Sequence, residues 1–244
     1  MTDQLSGPVS SVPGVVQRLG GVIFAPRSTF AQIAEHPRWV AALVAVTLLP
    51  ALVQGMFLSS EVGRQALVDQ QVRTMESFGI TITDEQYTNF KRMASFAGYL
   101  QPVSVFLFGS LVMVVLSGAF YGALTLFAGG RASFRQVFSV VAHGGAVTIV
   151  HQVFITPLNY VRKSMSNPAT LAAFTPTLDD GTFLYRLLGV IDVFIVWWIV
   201  VLAIGLAVLY RRKTGLIATV LLGVYGVLAV GLAMVTSQLG GMLR

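Results

Sequence analysis

The chain contains no cysteine, which excludes disulfides, thiolate chemistry and every Cys-based metal site. Charge is nearly as scarce: Asp, Glu, Lys and Arg supply 11% of the 244 residues, under half of the roughly 25% found in an ordinary soluble domain. Signatures of catalysis are missing as well. There is no phosphate-binding Gly-Lys motif, no nucleophile elbow, no HExxH and no convincing pair of carboxylates. An enzyme is therefore not expected, and neither is a cofactor. Around the acidic stretch TITDEQ the twelve-residue ligand pattern of a calcium loop is absent. His143 and His151 lie eight residues apart, rotated by about 80° on a helix, with no Cys or nearby Glu to join them. No zinc site follows.

What is present is apolar. Hydrophobic residues make up 55% of the chain and the mean hydropathy is +0.76. Runs of at least 18 mostly apolar residues mark bilayer-spanning helices, and five occur, at 39–58, 102–128, 137–156, 187–209 and 216–236. The expected fold class is all-α: a polytopic membrane protein of one domain over 1–244, with five transmembrane helices. Residues 1–12 are polar and read as a disordered tail, and GGVIFA is too short for a signal peptide. Residues 59–101 are too many for a structureless loop. They read as a helical insertion outside the membrane, with Ser59 or Ser60 as a cap and a capping box at Thr83 and Gln86 opening a helix that can run into the second span. Residues 158–186 read as a loop with a short helix after Asn167, Pro168 taking its first position, and a DDG turn further on.

A pI near 10 would suggest nucleic acid in a soluble protein. Here the position of the charge argues otherwise. With the N-terminus cytoplasmic, the inner side carries Arg18, Arg27, Arg38, Arg131, Arg135, Arg211, Arg212 and Lys213 against Asp3 and Glu35. Raw counts of Lys and Arg tie between the two sides, but GGRASFRQ and YRRKTG are short, basic and free of acids. That density favours N-in and C-out. The basic excess then reads as attraction to an anionic inner leaflet, and no nucleic-acid partner is expected.

Residues 13–38 form an amphipathic interfacial segment in which Phe30, Ile33 and Ala34 share one face between Pro26 and Pro37. Trp39 sits where an interfacial anchor belongs. Its apolar face either lies on headgroups, setting the depth of the first span, or docks a partner. In the second span GAFYG places Gly118 and Gly122 one small-xxx-small step apart, a pattern for helix packing within the subunit or across a dimer face.

Asp192 is the one acid in an apolar run, where an ionised carboxylate costs about 2.5 to 3.5 kcal/mol on insertion scales. It needs a partner. Counted inward from Pro157, His151 lies about 9 Å deep, and Asp192 lies about 7.5 Å beyond Leu187, so the two share a depth. A His151 and Asp192 contact is predicted, with Gln152 beside it and His143 as a further packed or cavity-facing polar residue. Such a cluster serves either as a polar clamp between helices or as a proton or substrate path.

The order of the segments RLGGVIFAPRSTFAQIAEHPRWVAAL, TITDEQ, GGRASFRQVFSVVAHGGAV, NPATLAAF and LLGVIDVFIVWWIVVLAIGLAVLYRRKTG resembles the bacterial branch of the Yip (Ypt-interacting protein) family. The resemblance implies five membrane helices and a cytoplasmic N-terminus. In eukaryotic members it implies vesicle trafficking through Rab-type GTPases and membrane shaping. Some bacterial relatives are associated with ABC-type efflux systems and their periplasmic adaptors. For this chain that implies a non-catalytic inner-membrane accessory or scaffold protein, with an ABC-type transporter or adaptor as partner; the lipid bilayer and, through the small-residue faces, a second copy are the other partners expected. The same resemblance marks Asp192, Phe194 and Trp197 as distinctive positions. The alternative function is a permease for a small or lipid-like solute using His151 and Asp192.

Overall fold

In a computed structural model, which describes residues 13–129, 131–175, 177–179 and 182–242, ten α-helices and one 3₁₀ turn follow one another, and no strand occurs among the described residues. The tail at 1–12 and the Asp180 and Gly181 of the DDG turn lie outside those residues. Five helical segments are long and apolar enough to cross a bilayer, as the hydropathy runs predict. Their limits differ from the apolar runs, and the differences are informative.

Two short helices, α1 (Val15–Phe24) and α2 (Pro26–Glu35), precede the first span, α3 (Val40–Ser59). Pro26 takes the first position of α2, where its missing N–H is no loss. Ser60 then caps α4 (Glu61–Ser77) by accepting from the Gly63 amide at 3.0 Å. The expected capping box is formed: Thr83 Oγ1 accepts from the Gln86 amide at 3.3 Å, and Gln86 Oε1 accepts from the Thr83 amide at 2.9 Å. It opens α5 (Asp84–Ala128), a single helix of 45 residues that joins the polar insertion to the second span without a break.

The third span is two helices, α6 (Phe134–Gly144) and α7 (Ala146–Arg162), interrupted at Gly145. A Cβ on Gly145 would lie 2.9 Å from Val46 Cγ2 and 3.0 Å from Met113 Cε, and one on Gly144 would lie 2.8 Å from Leu202 Cδ2. Only glycine lets three neighbouring helices close on this bend. Past α7, Pro168 sits in a turn, and the short helix expected there forms later, as a 3₁₀ turn at Leu171–Phe174. The fourth apolar run also divides. α8 (Phe183–Val190) is separate from α9 (Val193–Tyr210), and α10 (Thr214–Met242) follows after a three-residue link.

The core gathers around α6 and α9, with Val137, Val140, Val141, Leu202 and Leu206 almost wholly enclosed. α2 belongs to this core, which corrects the interfacial reading of its apolar face. Phe30 and Ile33 are 0% exposed, and Trp39 meets Phe138 edge-on at 4.9 Å. Gly205 makes the seat: a Cβ there would lie 2.5 Å from Val140 Cγ1 and 3.1 Å from Phe30 Cδ1. The amphipathic pattern reports an apolar face, and protein covers that face.

Of the two readings of the small-residue step in α5, packing within the subunit does not hold. A Cβ on Gly118 or Gly122 would meet nothing within 4 Å, so neither glycine packs against another helix of this chain. Close approach to α5 occurs further toward its N-terminus. There Gly55 faces Pro102, and Gly98 faces Ser59.

Candidate functional site

The site is built around a break in a helix. After Val190 the backbone of Ile191 and Asp192 is extended, and α9 begins at Val193. Asp192 therefore does not stand inside a spanning helix, as its place in the apolar run suggested; it is the N-cap of α9. Its Oδ1 accepts from the amides of Phe194 at 2.6 Å and Ile195 at 3.2 Å. This placement answers the cost of an acid in an apolar run, because orphan amides and the positive end of the helix favour a carboxylate at that point.

The extended residues find a partner in the preceding loop. Leu171 donates its amide to the Ile191 carbonyl at 2.9 Å and Val193 donates to the Ala169 carbonyl at 3.1 Å, a single antiparallel bridge between Thr170 and Asp192. Asn167 locks the loop. Its Nδ2 donates to Asp192 Oδ2 at 2.5 Å while its Oδ1 accepts from the Ala169 amide at 2.9 Å. From α10, the Tyr225 hydroxyl accepts from the Asp192 amide at 3.2 Å and donates to the Val190 carbonyl at 2.8 Å. The Val190 and Ile191 carbonyls and the amides of residues 192 to 195 are thus satisfied by protein, as irregular backbone at membrane depth requires.

His151 lies beside this node. Its Nε2 is 3.6 Å from Asp192 Oδ2, an ion-pair distance too long for a direct hydrogen bond. Its ring meets Phe194 edge-on at 5.0 Å, and Phe194 in turn lies 6.1 Å from Trp197. A cavity of about 180 Å³ adjoins the pair, lined among others by Thr148, His151, Asn167, Asp192, Phe194 and Trp198. His151 Nε2 and Trp198 Nε1 are buried there without a hydrogen-bond partner. Asp192 itself is 3% exposed.

The other two residues of the predicted cluster lie elsewhere. Gln152, one residue along α7, points toward α3: its Nε2 donates to Gln54 Oε1 at 2.7 Å and to Thr156 Oγ1 at 2.6 Å. A step of about 100° between neighbours on a helix puts it on a different face from His151. His143 is enclosed on α6 with its Nδ1 2.8 Å from the Ser139 carbonyl oxygen. No group of three His, Cys, Asp or Glu that could hold a metal occurs among the described residues.

Sequence reasoning missed two participants. Asn167 had a signal, since an Asn before Pro often fastens a turn through its side chain. Tyr225 had none, because nothing local ties a tyrosine in the fifth span to a break in the fourth. Away from the node, Arg18 of α1, read from the sequence only as an inner-side charge, is a buried cation. It is 3% exposed, donates from Nη1 to the His36 carbonyl at 3.3 Å, and leaves Nε and Nη2 unpartnered. Burial, and after it the like charge of Arg38, pulls its guanidinium below the ordinary range. With Arg135 donating to the Pro37 carbonyl and Gln136 to that of Ala34, Arg18 helps to fasten the C-terminal end of α2.

As chemistry, the arrangement holds four segments together: the 167–171 loop, the start of α9, α7 through His151 and α10 through Tyr225. No curated protein and no solved structure matches the chain. A family model does match: that of the Yip1 domain, over residues 20–236, from the second half of α1 to Thr236 in α10. With five helices of spanning length and most of its length matched, the chain belongs to the Yip1 domain family of multi-pass membrane proteins.

Proposed function

We propose that the protein is a non-catalytic accessory or scaffold subunit of a membrane transport complex, such as an ABC-type efflux system with its periplasmic adaptor. It would sit in the inner membrane with its N-terminus cytoplasmic and its C-terminus outside. One observation carries this reading: the chain leaves two of its own spans largely uncovered. Only 11% of the apolar window of α5 and 17% of that of α10 is buried, against 61% across α6 and α7. Gly118 and Gly122 on α5, and Gly223 and Gly226 on α10, have no neighbour of this chain within reach of a Cβ. Small residues at such steps let a second helix approach closely. The face of α2 is already occupied by the core, which leaves these spans and the α4 and α5 insertion as surfaces for a partner or a second copy.

The polar node supports the same reading from the other direction. Both carboxylate oxygens of Asp192 are engaged in holding the chain together, which suits a clamp better than a carrier. Crosslinking in intact membranes followed by mass spectrometry should recover transporter or adaptor peptides joined to α5, α10 or the insertion. Gly118→Leu with Gly122→Leu should abolish that recovery while the purified protein stays monodisperse. Recovery only of random membrane neighbours, unchanged by the double substitution, would remove the proposal.

The cavity beside His151 favours a second reading, a permease for a small or lipid-like solute. Proteoliposomes containing this protein alone would then show flux that His151→Ala abolishes in a variant that still folds.

A further inference from the structure

We propose that the end of the bundle where α2, α9 and α10 meet is a binding site for an anionic phospholipid, with its phosphate held by Arg27, Arg211 and Lys213 and an acyl chain lying along Ile204. Two cavities of about 680 and 610 Å³ adjoin there, sharing Arg27, Ala31 and Thr214. One is rimmed by Arg27, Arg211, Arg212 and Lys213. The other is walled by Ala25, Pro26, Ala31 and Ile204. Neither is lined by an acid among the described residues. A cationic mouth continuous with an apolar trough matches a molecule that has a phosphate at one end and a hydrocarbon chain at the other.

Arg27, Arg211 and Lys213 repel one another across so small a rim, and an anion among them would relieve that repulsion. At the C-terminus of α9 the carbonyls of Ala207 and Val208 accept from the backbone amides of Arg212 and Arg211, so backbone amides close the last turn. Arg211 is itself left-handed, with φ 53°, a conformation in which glycine would sit without strain. Two helices, α2 and α10, begin beside this rim, at Pro26 and Thr214, and the positive end of a helix favours an anion. Ala31 and Ala207 keep the floor low between the charges and the trough.

The test is native mass spectrometry of the full chain, delipidated in detergent and titrated with phosphatidylglycerol or with phosphatidylcholine of the same acyl chains. Wild type should retain one phosphatidylglycerol in preference to phosphatidylcholine, with affinity falling about fivefold for each cation removed in Arg27→Gln, Arg211→Gln and Lys213→Gln. The triple Arg73→Gln, Lys91→Gln and Lys163→Gln removes the same charge elsewhere and should leave binding unchanged. Glycerol 3-phosphate at millimolar concentration should not displace the lipid, because it lacks the chain that fills the trough. Equal retention of the two lipids by wild type would overturn the proposal, as would equal loss in the two triple variants. Displacement by glycerol 3-phosphate would overturn the lipid as occupant and leave a simple phosphate site. The comparison of lipids on wild type decides the matter even if a triple variant fails to fold.

Discussion

Two kinds of membrane helix share this bundle. α6 and the C-terminal half of α9 are enclosed by their neighbours, while α5 along its apolar half and α10 touch other parts of the chain on a narrow side only. Both kinds are apolar and both carry glycine, so hydropathy gives them one signature. The difference lies in what each glycine meets. At Gly144, Gly145 and Gly205 an added Cβ would strike a neighbour at 3 Å or less, whereas at Gly118, Gly122, Gly223, Gly226 and Gly231 it would meet nothing within 4 Å. In a bilayer, lipid tails are as apolar as leucine, so burial by itself drives little association. Close packing at particular small residues then decides which helices form the core.

The sharpest way to break the contrast is Gly205→Val. Its Cβ would press on Val140 and Phe30 together, and expelling Phe30 would undock α2 as well. Overpacking of this kind costs about 1 to 3 kcal/mol and at times more, and with the loss of α2 packing the expected cost is at the upper end. Thermal unfolding in detergent should show it, together with new protease cuts near α2. Gly226→Val on the open face should leave the melting temperature nearly unchanged.

Asp192→Ala comes next. It removes the α9 cap, frees Asn167 and leaves two amides unpaired beneath the 170–192 bridge. A cap is worth about 1 kcal/mol and a hydrogen bond to a charged group about 1.5 to 3 kcal/mol, so an expected loss of about 3 kcal/mol follows. Asp192→Asn keeps an oxygen for the amides and should lose less than half of that. Equal losses in the two variants would mean that the cap is not what Asp192 supplies.

These two experiments probe places where the sequence is read with very different success. The number of spans is legible because each needs a long apolar run, and the capping box at Thr83 is legible because its partners are three residues apart. The same spacing at Ser133 and Gln136 also forms a box and could have been read in the same way. His151 and Asp192 come together because equal depth follows from helical rise. The break before Asp192 is hidden, since Ile191 and Val193 keep the apolar run continuous while the backbone turns extended. An aspartate followed by an uninterrupted apolar helix is the signal that could have revealed it, read as a cap. The burial of α2 has no local signal, because an amphipathic pattern says that a face is covered and not by what. Open and closed glycines likewise differ only in tertiary surroundings.

A smaller effect is expected at Tyr225, which ties the uncovered α10 to the polar node. Tyr225→Phe removes a hydroxyl that donates to the Val190 carbonyl and accepts from the Asp192 amide. The loss should be about 1 to 2 kcal/mol, the cost of unpaired buried backbone groups. It should be visible as faster hydrogen exchange at Asp192 and through α8, with α6 unchanged. Exchange that rises equally in α6 would mean that α10 is bound into the core more tightly than its open faces suggest.

The smallest effect on the isolated protein is expected from Gly118→Ala with Gly122→Ala. Neither new methyl group meets another part of the chain, and alanine is preferred to glycine in a helix by about 1 kcal/mol. The purified subunit should therefore melt at the same temperature or slightly higher. In native membranes the same pair should weaken recovery of the crosslinked partner, since each methyl group stands where a second backbone would approach. A protein that is more stable alone and less often found in its complex would separate the two kinds of helix by function as well as by packing. If the double variant is destabilised instead, α5 has a contact within the subunit, and the distinction between covered and uncovered spans falls at the helix on which it chiefly rests.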